Sequence, residues 1–161
     1  MYNIAKEHSP MTIWFGEVDI DELNTQGEDC LNENIGLEIV EVTDSALVGR
    51  IPVDERTTQP AGVLHGGASV VLAETLASWG ATLVIDASRY HAVGQEINAN
   101  HVRPASPGTW VYGTATPASI GRRSQVWDIR IRNEEGKLVC VSRCTMAVLE
   151  IPSQYSRKDQ R

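Results

Sequence analysis

One stretch of this chain places unusual chemistry side by side. It reads Gln59-Pro60-Ala61-Gly62-Val63-Leu64-His65-Gly66-Gly67-Ala68-Ser69-Val70-Val71-Leu72-Ala73-Glu74. A loop ending in His65-Gly66-Gly67 runs straight into a helix-forming segment rich in Ala, Val and Leu. Glycines at a helix start leave backbone N–H groups uncovered where the dipole favours negative charge. Such a site could hold the oxyanion of an attacked carbonyl. Glu74 is the sole carboxylate between Glu55 and Asp86 and sits about two turns into the apolar segment. A carboxylate in that setting must neutralise, find a partner or line a wet cavity. The bland alternative is a glutamate on the solvent flank of the helix. Ser78, four residues on, shares the face of Glu74 and could hold a water or the carboxylate, or bond back to its own helix. His65 alone would suit a helix cap, and Gln59 alone an ordinary loop amide; only the cluster carries weight.

The elements that must position these groups follow from periodicity. Asp19 to Gln26 reads as a short helix capped by Asp19 and ended by Gly27. Gly36 to Val42 and Ala46 to Val53 read as a hairpin about Asp44-Ser45. From Gly66 towards Asp86 the pattern predicts one long helix of about 20 residues, apolar nearly all round and therefore buried. Its small residues Ala68, Ala73, Ala77, Gly80 and Ala81 would let sheet backbone come close. Ala92 to Val102, Gly108 to Thr116, Ser124 to Arg132 and Lys137 to Leu149 read as four successive hairpin-like strands, separated at 104–108, 118–121 and 133–136. An antiparallel sheet wrapped round one apolar helix is the α+β hot-dog architecture. Residues 1–18 read as an N-terminal arm, 19–151 as the domain and 152–161 as a polar tail.

Length and charge narrow the function. The chain has 161 residues, one domain's worth, with a formal charge of −7 from 14 Lys+Arg and 21 Asp+Glu. That balance argues against nucleic acid as the main partner. No apolar run reaches the roughly 20 residues of a membrane span, and the first ten residues lack the apolar core of a signal peptide, so a cytoplasmic location is expected. The three cysteines, Cys30, Cys140 and Cys144, form no CxxC pair; Cys140 and Cys144 fall on one strand face and read as reduced, space-filling thiols. No zinc spacing, phosphate loop or dinucleotide fingerprint is present.

Segment 59–74 together with Val93-Gly94-Gln95-Glu96-Ile97-Asn98-Ala99-Asn100-His101-Val102-Arg103 resembles the hot-dog acyl-CoA thioesterases of the Arthrobacter 4-hydroxybenzoyl-CoA type. Within that group it is most similar to the 1,4-dihydroxy-2-naphthoyl-CoA thioesterases and their enterobactin-pathway proofreading relatives. The resemblance runs from about Asp19 to Leu149. It implies that Glu74 is the catalytic carboxylate, as nucleophile or as base for water, with the Gly66 N–H as oxyanion donor beside Gly67. It implies that Gln59 orients the thioester or water, that His65 flanks the oxyanion site, and that Ser78 supplies the hydroxyl near the nucleophile. It places His101 on the CoA side. It also implies a site shared between subunits, hence a homodimer and usually a homotetramer, and no metal or cofactor beyond the CoA of the substrate. Arg103, Arg122 and Arg123, with Ser124, are the candidates for the CoA phosphates. Menaquinone or phylloquinone synthesis would be the setting, with aryl-acid proofreading or medium-chain acyl hydrolysis as alternatives. A non-catalytic acyl-CoA sensor and a hydratase on the same fold are the readings from other classes.

Overall fold

A computed structural model describes residues 12–152. The chain forms α1 (Ile20–Gln26), α2 (Leu31–Asn34), β1 (Glu38–Val42), β2 (Leu47–Pro52), α3 (Gly66–Leu83), β3 (Tyr90–His101), β4 (Trp110–Ile120), β5 (Ser124–Asn133) and β6 (Leu138–Glu150). The six strands make one antiparallel sheet in the order β1-β2-β4-β5-β6-β3. Helix α3 packs against β2 to β6, and this is the α+β hot-dog arrangement expected from the sequence.

Asp19 caps α1 by accepting from the N–H groups of Asp21 and Glu22, as its type and position predict. Gly136 takes φ 74° in the β5–β6 turn, the left-handed region that favours glycine there. The short α2 had no signal in the sequence; four residues carry too few turns for a period to show. Residues 1–11 of the arm and 153–161 of the tail lie outside the described residues. The rest of the arm is tied down: Trp14 is buried, donates from Nε1 to the Thr43 carbonyl at 2.6 Å, and stacks on Trp127 with ring centroids 6.4 Å apart.

Two expectations need correction. The last four strands are not a run of hairpins. β4, β5 and β6 form a meander, but β3 pairs with β6 and not with β4, so it lies at the sheet edge. The connection after β3 contains Pro104, Pro107 and Gly108, which cannot make a tight two-residue hairpin, and it carries the chain across the sheet. The separator at 118–121 is also shorter than its composition suggests. β4 continues to Ile120 through a bulge between Pro117 and Ser119, where proline's missing N–H is tolerated.

Helix α3 spans 18 residues, about 27 Å. One face is fully buried on the sheet through Ser69, Leu72, Ala73, Leu76, Ala77, Gly80 and Ala81. The opposite face, with Val70, Val71, Glu74, Ser78, Trp79 and Thr82, is only half-buried. Close approach comes from both layers. Gly80 meets the Trp127 ring, while Gly113 on the sheet makes room for Leu72 and Leu76 of the helix.

Candidate active site

The loop before α3 is held by its own backbone. Gly62 donates to the Gln59 carbonyl at 2.8 Å, Gln59 donates to Val63 at 3.0 Å, and Gly62 takes φ 74°. Thr58 and Leu64 bridge across the loop, and His65 N–H donates to Thr57, whose hydroxyl bonds the Pro52 carbonyl at 2.6 Å. These contacts fix the half-buried Gln59 at one end and the helix start at the other.

His65 is the N-cap of α3, with φ −70° and ψ 133°. Its Nδ1 accepts from the Gly67 N–H at 2.8 Å, which leaves the ring proton of the neutral imidazole on Nε2. The His65 carbonyl accepts from Ala68 at 3.0 Å and Ser69 at 3.4 Å. Gly66 is skipped by this pattern: among the described residues its N–H has no acceptor. A free N–H at the first position of an 18-residue helix is the geometry an oxyanion donor needs. The His101 ring lies against Gly66, with Nε2 2.9 Å from where a Cβ at that position would stand. So His101 lies at the helix start.

Glu74 lies two turns further along α3, half-buried, with its Oε1 against Gly94 of β3. The ion pairs among the described residues join Arg50 to Glu38, Arg56 to Asp54, Lys137 to Glu135 and Arg143 to Asp128, and leave Glu74 out. Its hydroxyl-bearing neighbours point elsewhere. Thr75 donates to Asn32 at 3.3 Å, and Thr82 donates to the Ser78 carbonyl at 2.9 Å. Ser78 is half-buried on the same helix face as Glu74. Cys144 is fully buried in β6 with Sγ 3.5 Å from the Met146 sulfur. Burial first, then the charges of Glu74 and Glu96, push its thiol up to about 11, so it is a neutral filler at physiological pH. Cys140 is likewise buried and its thiol pushed up by burial.

The candidate phosphate ligands fall into two places. Arg122 and Arg123 form the β4–β5 turn and, with Gln95, Tyr90 and Ala147 to Glu150, line an open groove of about 510 Å3. Ser124 opens β5 beside them. Arg103 lies past the far end of β3, where its guanidinium donates to the Leu138 carbonyl at 2.5 Å. Measured along β6, Arg103 meets Val139 and Arg123 meets Val148, nine positions or about 30 Å apart. One chain therefore does not bring the three arginines together. Arg143 is committed to Asp128 at 2.7 Å and holds that carboxyl below its usual range.

Two site features escaped the sequence. Gly94 reads there as an ordinary strand glycine, and only its contact with Glu74 reveals the fit. The second is a groove of about 430 Å3 near the end of α3, lined by Phe15, Val18, Leu23, Trp79, Thr82 and Leu83, with Glu17, Asp19 and Glu22 at its rim. Its walls come from segments more than 50 residues apart, so no local pattern announces it. Among the described residues no helix is long and apolar enough to cross a membrane, and no cluster of His, Cys, Asp or Glu could hold a metal.

Comparison with known proteins matches this arrangement to a family. Residues 61–140, from the loop before α3 to the start of β6, match the thioesterase superfamily. The 1,4-dihydroxy-2-naphthoyl-CoA hydrolase of Escherichia coli is 44% identical over 137 residues, covering 85% of this chain and 99% of that one. The crystal structure of a glutamine-to-alanine mutant thioesterase from Pseudomonas aeruginosa superposes with a TM-score of 0.85 at 41% identity, covering 87% of this chain and all of that one. A thioesterase from Haemophilus influenzae gives the same TM-score and identity over 89% of this chain and 99% of its own. The chain belongs to the thioesterase superfamily and is a hot-dog hydrolase of that family.

Proposed function

We propose that the protein hydrolyses an acyl-CoA thioester to the free acid and CoA, with Glu74 as the reacting carboxylate and the Gly66 N–H as oxyanion donor. The observation that carries this is that, among the described residues, both the half-buried Glu74 and the Gly66 N–H lack a partner; eight residues, about 12 Å, separate them along one helix, so one carbonyl would meet the Glu74 of one subunit and the Gly66 N–H of another. A thioester carbonyl is activated because sulfur donates poorly into it, so a positioned oxygen and an oxyanion donor suffice. In one route a Glu74 oxygen attacks the carbonyl carbon, the C–S bond breaks, the CoA thiolate leaves, and water then cleaves the mixed anhydride. In the other, Glu74 takes a proton from water, the hydroxide attacks, and the proton passes to the departing sulfur. The Gly66 N–H would stabilise the oxyanion in both.

The reading includes a second subunit. β3 is an edge strand of 12 residues without proline, and the outer face of α3 is only half-buried; both are unfinished surfaces in one chain. A copy seated there would bring its Gln59 and its Gly66 N–H to the first chain's Glu74, and its Arg103 towards the first chain's Arg122 and Arg123. A homotetramer of two such dimers is the proposed assembly. The groove beyond Trp79 suits the acyl group. Its apolar walls favour an aromatic ring, and the acidic rim of Glu17, Asp19 and Glu22 disfavours an acyl group bearing a carboxylate. The E. coli relative, named for 1,4-dihydroxy-2-naphthoyl-CoA, supports that ester as the first candidate, and menaquinone synthesis is the proposed setting.

The test is release of free thiol from benzoyl-CoA and 1,4-dihydroxy-2-naphthoyl-CoA by wild type and Glu74→Ala. Removing the reacting oxygen should leave the fold intact and lower turnover by at least about 100-fold. Full activity in Glu74→Ala would refute the reading. Tight CoA-ester binding without turnover would favour a sensor instead.

A further inference from the structure

We propose that Gly94 and the β-bulge at Gln95 are the positioning device for the Glu74 carboxylate, so that β3 sets where the reacting oxygen stands. The inference rests on the reading of Glu74 given above. Glu74 Oε1 occupies the space that a Cβ on residue 94 would need. With glycine there, the carboxylate seats directly on strand backbone. Any larger residue must drive it off. The group displaced would be the far end of a flexible side chain, so the fold loses little while the oxygen moves.

The bulge explains why Gly94 faces the helix at all. Gly94 pairs with Met146 and Ile97 with Cys144, so three steps on β3 oppose two on β6, and the register shifts between Gly94 and Glu96. Residues before the bulge face α3 at even positions, through Gly94. Those after it do so at odd positions, through Ile97, Ala99 and His101, opposite Cys144, Ser142 and Cys140. In an unbroken strand, Gly94 and His101 would point to opposite faces, being seven positions apart. The extra residue lets one strand present Gly94 to Glu74 and His101 to Gly66. It also turns Glu96 away, opposite Thr145, where it accepts from Asn98 at 3.2 Å. Without the bulge a second carboxylate would face the helix beside Glu74, and like charge there would oppose its ionisation.

The experiment is a two-site cycle of Gly94→Ala and Glu74→Asp, read as kcat and KM on benzoyl-CoA, with melting temperature and a crystal structure of Gly94→Ala. A displacement of about 1 Å should cost roughly 100-fold in kcat. KM should stay within about threefold and melting within about 2 °C, because the packing cost is small. In the Glu74→Asp background the carboxylate is one methylene shorter and clears residue 94. There Gly94→Ala should cost less than about tenfold, a non-additivity that a general structural defect would not give. Near wild-type kcat in Gly94→Ala, an equal loss in both backgrounds, or an unmoved Glu74 carboxylate in the crystal would overturn the inference. If Glu74→Ala keeps full turnover, the functional reading itself fails. If Glu74→Ala is inactive while Gly94→Ala is not, only the positioning role fails.

Discussion

Gly80→Ala sets two known effects of opposite sign against each other in the helix that carries Glu74. Helix propensity alone predicts a gain of about 0.5–1 kcal/mol, because glycine in a helix interior is the more disordered when unfolded. Packing predicts the reverse. A Cβ at residue 80 would stand 2.8 Å from Cη2 and Cζ3 of Trp127. The indole has no room to withdraw. It is fully buried, its Nε1 donates to Gln125 at 2.9 Å, Gln125 in turn donates to the Ala81 carbonyl at 3.3 Å, and Trp14 stacks on it. Overpacking a tight core costs about 1–3 kcal/mol, and with the indole unable to withdraw the cost falls in the upper part of that range, so the net change should be a loss of about 1–2 kcal/mol. For a chain of this size that is a fall of roughly 3–6 °C in melting temperature. The assay is thermal unfolding by far-ultraviolet circular dichroism at matched protein concentration, with tryptophan emission reporting the ring. A melting temperature equal to or above wild type would refute the reasoning, since it would mean that Trp127 yields and that propensity decides.

Thiol accessibility gives a second check. Cys30 is exposed while Cys140 and Cys144 are buried, so one thiol per chain should react fast with Ellman's reagent in native protein and three in denaturant. Because the folded pKa of Cys144 is raised, its contribution to stability is full below the unfolded value of about 8.5 and is lost as pH climbs towards about 11; Cys144→Ala should flatten that alkaline decline in melting temperature. For the proposed phosphate contacts, Arg122→Ala and Arg123→Ala should raise KM for a CoA thioester about tenfold each, the low end for charge-assisted bonds at exposed sites, and leave the N-acetylcysteamine thioester unaffected because it has no phosphate. Equal losses on both substrates would place these arginines outside phosphate binding.

Element types were legible because burial imprints a period on the chain. The 3.6 pattern from Gly66 and the alternation of β2, β4, β5 and β6 fall within a residue or two of the observed bounds at most ends. Strand partnership was not legible, since alternation is the same whichever neighbour a strand pairs with; the position of β3 beside β6 is a property of the closed sheet. The residues proposed for catalysis were visible as a cluster because helix start, cap and carboxylate lie on consecutive turns of one element. His101 shows the limit of that reasoning. Counting by twos along an unbroken strand groups it with Arg103, but the strand ends at His101, which turns to Gly66 while Arg103 bonds the Leu138 carbonyl.

What the sequence determined by itself is therefore local: one buried helix with a glycine start, an isolated carboxylate two turns in, and too few cations for a nucleic-acid surface. What only the tertiary structure decided is how those groups are addressed from outside their own element. The fit of Glu74 on Gly94, of His101 on Gly66 and of Gly80 on Trp127, and the 30 Å that separates Arg103 from Arg123 along β6, all depend on which backbones approach across the core. The physical reason is that periodicity records which side of an element is buried, whereas close contact depends on the register of a distant strand, and a single extra residue at Gln95 resets that register.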